Sequence, residues 1–209
     1  AAEPAEDFVR ELVAAGVRTI AAGEDWKFGH CRAGDRQLLG RMARELGFRF
    51  EAVAPVMMEG ERISSTRIRQ AIRDGNLGAA ARMLGRPYTV EGRVVEGRKL
   101  GRELGFPTAN LERGEEQYPP DGVWAVRARA GEGWRGGVAN LGLRPTVDGT
   151  SRSLEVHLFG ECGDLYGRTL EVEFVRYLRG EEKFASLDEL RERIRRDVAE
   201  AMYLLDDAG

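Results

Sequence analysis

Tyr88–Leu111 reads YTVEGRVVEGRKLGRELGFPTANL. Its four glycines (Gly92, Gly97, Gly101, Gly105) have Arg93, Arg98, Lys99 and Arg102 among them, and Phe106-Pro107-Thr108-Ala109-Asn110 follows at once. Glycine lets a backbone take positive φ and approach a ligand closely. Successive N–H groups in such a loop form a concave anion site, to which the basic side chains add charge. Thr108 and Asn110, two apart in an extended segment, point to one face. Their hydroxyl and carboxamide oxygens suit a hard cation such as Mg²⁺, held between protein and phosphates. The stretch therefore predicts a phosphate-and-magnesium site, with Gly92, Gly97, Lys99, Gly101, Thr108 and Asn110 toward the phosphates, and Thr108 and Asn110 toward the metal. It is not a P-loop, because Gly97 is followed by Arg98-Lys99 rather than Lys-Ser/Thr, and the stretch contains no GxGxxG. Spacing alone also fits a glycine-rich β-hairpin with solvated basic residues.

Upstream of Tyr88 helix and strand patterns alternate. Phe8, Leu12 and Val13 recur at helical spacing up to Gly16, and Val17–Ala22 is a short apolar strand. Asp35 is placed to cap a helix carrying Leu38, Leu39, Met42 and Leu46 inward, with Gly47 at its end. Phe48–Val56 reads as a strand, Ile63–Arg73 as a helix stopped at Gly75, and Asn76 caps a shorter helix through Leu84. Such alternation predicts a parallel α/β layer.

Downstream the chain is strands and turns until one last helix, so the boundary falls at about 86–88, dividing residues 1–86 from 87–209. Val123–Ala130, Trp134–Leu141, Ser153–Phe159 and Leu170–Leu178 alternate as half-buried strands do. Many short strands with glycine turns predict a small antiparallel barrel. Ser186-Leu187-Asp188-Glu189 is a capping box opening a helix whose stripe is Leu187, Leu190, Ile194, Val198 and Met202. In Leu154-Glu155-Val156-His157-Leu158 the apolar residues share one face and Glu155 and His157 the other. A carboxylate so placed is either solvated or a general base facing a ligand.

The net charge of −3 over 209 residues, with Arg and Lys spread among Asp and Glu, argues against nucleic-acid binding. No apolar run long enough for a membrane helix occurs. No signal peptide is visible, and Cys31 and Cys162 lie far apart without a CxxC, which points to free thiols in the cytoplasm. Oligomeric state is not legible.

GRVVEGRKLGRELGFPTANL resembles the signature of riboflavin kinases, as do YPPDGVWAV (118–126), GVANLGLRPTV (137–147), LEVHLF (154–159), DLYG (164–167) and VRYLRGEEKF (175–184). Upstream, AAGEDWKFG (21–29) and ISSTRIR (63–69) resemble the nucleotidyltransferase half of the bacterial bifunctional riboflavin kinase/FMN adenylyltransferases. The resemblance implies a partial Rossmann-like nucleotidyltransferase domain, then a split β-barrel kinase domain with a C-terminal helix. It implies ATP and Mg²⁺ as requirements, riboflavin as substrate and FMN as product, with small-molecule substrates as partners rather than nucleic acid or a membrane. It makes Glu155 the catalytic base, and places Arg102, Leu104, Gly105, Phe106, Tyr118, Asp121, Val123, Leu178 and Arg179 around the flavin. Asn140 is placed nearby, and Arg191 and Arg195 face either the site or solvent. Ser64, Ser65, Thr66 and Arg67 match the segment that meets phosphate at a helix N-terminus, a pattern that an ordinary N-cap also fits. The chain contains no HxGH, the motif with which that half handles ATP, so the half is expected to be incomplete and without FAD synthesis. A flavin-binding barrel without catalysis is the alternative.

Overall fold

The computed structural model describes residues 3–206 apart from Arg98, Arg113, Glu132, Val147 and Asp148, and the backbone alone for 143–146 and 149–151. Arg98, assigned above to the basic loop, thus lies outside the described residues. The chain divides into two compact units, Ala1–Ile63 and Ser64–Gly209. This division by packing precedes the change of sequence pattern at Tyr88.

In the first unit, α1 (Ala5–Ala14) and α2 (Arg36–Leu46) accompany the parallel strands β1 (Thr19–Gly23) and β2 (Arg49–Val53), paired from Thr19↔Arg49 to Gly23↔Val53. Asp35 caps α2 by accepting from the N–H groups of Gln37 and Leu38 at 3.0 and 2.9 Å. Gly47 ends the helix in the left-handed region at φ 73°. Val9, Phe28, Leu38, Leu39, Met42 and Phe48 form the core. The strand expected over Phe48–Val56 stops at Val53. The chain turns instead through the hairpin β3 (Met57–Met58) and β4 (Glu61–Arg62). Strands of two residues are too short to show a period of two.

The second unit opens with α3 (Ser65–Arg73) and α4 (Leu77–Leu84). Ser64 Oγ accepts from the Arg67 N–H at 3.2 Å, and Asn76 Oδ1 from the Ala79 N–H at 3.1 Å. Then come β5 (Thr89–Val95), the short α5 (Leu100–Glu103), β6 (Ala109–Leu111), β7 (Gly122–Arg129), β8 (Arg135–Thr146), β9 (Gly149–Leu158) and β10 (Thr169–Arg179). They close an antiparallel barrel in the order β10-β5-β6-β9-β8-β7. Inward residues such as Val90, Trp124, Val126, Leu141, Leu154, Val156, Leu170 and Phe174 fill it. The barrel interior is a core, not a ligand chamber.

The last helix, α6 (Leu187–Asp206), packs on the outer wall, where Val123, Ala125 and Val138 form a second apolar layer with Ala201 and Leu205. Ser186 caps its start as expected, whereas the reciprocal arm of the capping box reaches Ala185 rather than Ser186. Ser186 Oγ accepts from the Glu189 N–H at 3.2 Å, and Glu189 Oε2 accepts from the Ala185 N–H at 3.0 Å. The buried stripe differs from the expected one. Leu187 and Met202 are 58% and 44% exposed, while Asp197, Ala201 and Leu205 are buried. A count of apolar residues passes over Asp197 and so misplaces the centre of the face. Among the described residues no helix is long and apolar enough to cross a membrane.

Candidate functional site

Glu155 projects from β9 on the outer side of the barrel, since its neighbours Leu154 and Val156 point into the core. In register it stands opposite Asn110 of β6 on one side and Asn140 of β8 on the other. Residues directly opposite share a face, so a carboxylate is flanked by two carboxamides across three strands. Thr108, just before β6, donates from Oγ1 to Glu155 Oε2 at 3.5 Å. His157, next on this face, has Nδ1 2.9 Å from the Pro107 carbonyl oxygen, and its ring meets Phe106 edge-on at 5.4 Å. That contact fixes the bend that carries Phe106-Pro107-Thr108 onto the wall.

The glycine-rich loop lies directly on these side chains. A Cβ at Gly97 would overlap the Asn110 carboxamide, and one at Gly101 would overlap the Phe106 carbonyl and sit 3.3 Å from Thr108 Oγ1. Only glycine permits this closeness. Lys99 initiates α5 in the left-handed region at φ 60°, and the Phe106 N–H closes the turn onto the Gly101 carbonyl at 2.7 Å.

Two cavities meet at Thr108. The first, about 390 Å³, runs along the outer wall from Lys99, Gly101, Leu104, Phe106 and Thr108 past Glu155 and Asn140. It is floored by Val123 and Val138 and closed by Phe184, Leu190, Ile194 and Val198. The second, about 720 Å³, is lined by Arg102, Pro107, Thr108 and the turn through Gly160, Gly163, Asp164 and Tyr166. At the far end of the first, Arg179 is bound side-on by Asp197. Its Nε donates to Oδ1 and Oδ2 at 3.0 and 3.1 Å, and Nη2 to Oδ2 at 2.7 Å.

Of the residues singled out in the sequence, Lys99, Gly101, Leu104, Phe106, Thr108, Val123, Glu155 and Arg179 line the first cavity, and Arg102 the second. Asn110 lies beneath Gly97, and Gly105, at φ 89°, ends the turn of α5. Gly92 is a strand position where a Cβ would sit 2.7 Å from the Glu112 carbonyl, so it serves close strand packing. Tyr118 is in the barrel core, Leu178 in the layer beneath α6, and Asp121 pairs with Arg152 at 2.9 Å. Ser64, Ser65, Thr66 and Arg67 form the cap and first turn of α3, outside both cavities. Arg191 and Arg195 pair with Asp188 and Glu192 of their own helix at 3.0 and 3.8 Å.

Sequence reading missed Asp197 and Phe184, and it placed Leu190 and Ile194 on the packing stripe of α6 without assigning them to a cavity. The signal for Asp197 is an acidic residue one turn from Ile194 and Ala201 on an otherwise apolar face.

The donor set fits a hard cation. A hydroxyl, a carboxylate and two carboxamides supply oxygen only, and no cluster of three or more His, Cys, Asp or Glu suited to a metal occurs among the described residues. Such a site keeps Mg²⁺ only with phosphate oxygens completing its shell.

These features describe an oxygen-lined site where two cavities meet on the wall of a closed barrel, and comparison gives the family. The riboflavin kinase family model matches residues 84–205, and the FAD synthetase model matches residues 1–67. The chain belongs to the riboflavin kinase family. It is 44% identical over 200 residues to the bifunctional riboflavin kinase/FMN adenylyltransferase of Escherichia coli strain K12, covering 94% of this chain and 64% of that protein. With its counterpart in Haemophilus influenzae the identity is 43% over 187 residues, 88% of this chain and 60% of the relative. A crystal structure described as a macrolide-efflux protein from Streptococcus pneumoniae superposes with a TM-score of 0.77 at 34% identity, covering 94% of this chain and 64% of that one. The chain thus spans under two thirds of these relatives' length, and the efflux description is shared by neither family model nor the two enzymes.

Proposed function

We propose that the chain transfers the γ-phosphoryl group of ATP to the 5′-hydroxyl of riboflavin, giving FMN with ADP as the leaving group, in a Mg²⁺-dependent reaction. The observation that carries the reading is the meeting of two cavities at Thr108, within 3.5 Å of Glu155. The outer-wall cavity, with its aromatic and aliphatic lining, suits a flat ring system. The second, with Arg102 and a glycine-bearing turn, suits the nucleotide. The phosphoryl group then passes across the Thr108–Glu155 junction. Phosphoryl transfer asks the protein for positioning and charge stabilisation more than for covalent chemistry. Glu155 orients the ribityl hydroxyl and accepts its proton. At that junction Gly97, Lys99 and Gly101 contact the transferred phosphoryl group, and Thr108 and Asn110 would hold Mg²⁺, which when bound neutralises charge on the phosphate oxygens.

Residues 1–86 are read as the C-terminal part of an FMN adenylyltransferase domain, and 87–209 as the kinase domain. Ser64–Arg67 is then a phosphate-binding remnant of the first. With no HxGH in the sequence, these 209 residues are expected to make FMN and not FAD. The test is to incubate the chain with riboflavin, ATP and Mg²⁺ and to separate the flavins by chromatography. FMN alone is expected. FMN with FAD would overturn the reading of the first domain. Bound flavin without product would make the barrel a binding module.

A further inference from the structure

Asp197 is the one charged side chain that is fully buried among the described residues, at 2% exposure. An isolated buried carboxylate is costly, and such a group is kept only with strong partners. Here the partner is Arg179, itself only 11% exposed, with Arg193 Nε 3.5 Å away on the other side. The fork is asymmetric. Nε and one N–H of Nη2 are taken by Asp197, and Nη1 donates to the Gly180 carbonyl at 2.9 Å. Glu182 stands 4.0 Å from Nη1, beyond a hydrogen bond. A guanidinium has five N–H bonds, so one on Nη1 and one on Nη2 have no acceptor among the described residues. Both residues line the outer-wall cavity, and Arg179, opposite Val123 of β7, stands at the β10 end of the cross-strand row that runs through Asn140 to Glu155.

We propose that Asp197 is a positioning residue that fixes the Arg179 guanidinium at this end of the cavity, where its two remaining N–H bonds receive the carbonyl-bearing edge of the flavin ring. The inference rests on the riboflavin kinase reading above. Charge decides between acceptors. Arg179 and Arg193 are balanced by Asp197 and Glu182, and Glu181 adds a further negative charge to the lining. A phosphate would be repelled there, whereas a neutral carbonyl takes a directional bond from a donor that is locked and electrically balanced. The buried pair also ties α6, which supplies the lid residues Leu190, Ile194 and Val198, to the end of β10.

Asp197→Asn keeps shape and removes the charge, and Arg179→Lys keeps charge and loses the fork. In the 209-residue chain, each is expected to raise the KM for riboflavin about tenfold, and the Kd measured by riboflavin fluorescence quenching equally. The KM for ATP should stay within about twofold. The double variant should lose little more than either single one, because the two act as a unit. A riboflavin KM and Kd unchanged in folded Asp197→Asn overturns the positioning role. So does a parallel rise in both KM values, which marks general loosening of the fold. Should Asp197→Asn fail to fold, Arg179→Lys carries the same readouts. Absence of FMN from the wild-type chain would instead defeat the kinase reading, and the binding titration would still report on Asp197.

Discussion

The chemistry of the site turns on a few atoms around Glu155. Glu155→Gln preserves volume and the contact with Thr108 but cannot accept a proton. It should lower kcat by about a hundredfold or more while leaving both KM values nearly unchanged, the range typical of a lost general base. Steady-state rates near wild type would remove Glu155 from that role. Gly97 offers a sharper geometric test. Because a Cβ there would overlap the Asn110 carboxamide, Gly97→Ala has to lift the loop off Asn110 and should raise the KM for ATP several-fold, with riboflavin binding by fluorescence unchanged. At this scale the sequence is informative where chemistry and spacing coincide. Thr108 and Asn110 stand two apart in one extended segment, so a period of two puts them on one face, and the same period separates Glu155 from the inward Leu154 and Val156. Asp197 follows no such rule, because its burial comes from Arg179, eighteen positions earlier, and is set only when α6 meets the end of β10.

Among the elements, α6 both closes the outer layer and lines the cavity. Ala201 is fully buried against a wall that includes Ala125 and Val138, leaving no room for a larger side chain. Ala201→Leu should therefore destabilise the fold by roughly 1–3 kcal/mol, seen as a lower urea midpoint with unchanged slope. It should also raise the riboflavin KM, since Leu190, Ile194 and Val198 move with the helix. A stable variant with normal kinetics would mean that the helix does not shape the cavity. The capped helices α2, α4 and α6 were legible from their first residues, since Asp35, Asn76 and Ser186 each accept the N–H they were expected to. Strand extents were less so. β8 and β9 run to Thr146 and from Gly149, past the expected limits at Leu141 and Ser153, because pairing between them continues from Gly142↔Ser153 to Thr146↔Gly149 through residues with no apolar alternation. Cross-strand hydrogen bonding, which sequence periodicity does not register, extends that hairpin.

Over the whole molecule, the two units carry acidic groups whose titration pulls in opposite directions. In Ala1–Ile63, the Arg62 guanidinium holds Asp25 below its ordinary 3.8, and the N–H groups at the start of α2, Leu38 first, do the same for Asp35. Stability from these two is present above that value and fades as pH falls through the lowered one. In the barrel, Glu173 of β10 stands opposite Arg127 and Thr89. Burial raises its carboxyl above the usual 4.5, Arg127 opposes the rise, and Glu171 adds to it. The folded barrel therefore binds this proton more tightly than the unfolded chain does. Its contribution is fully present below 4.5 and is lost as pH rises through the folded value. Glu173→Gln removes that slope and leaves the acid-side losses of the first unit untouched. Thermal midpoints of wild type and variant, compared from about pH 4 to 7, should show the variant gaining on wild type as pH rises and then holding a constant lead. A difference that does not change with pH would show that Glu173 titrates alike in the folded and unfolded chain. A lead that shrinks with rising pH would mean that Arg127, not burial, governs this side chain.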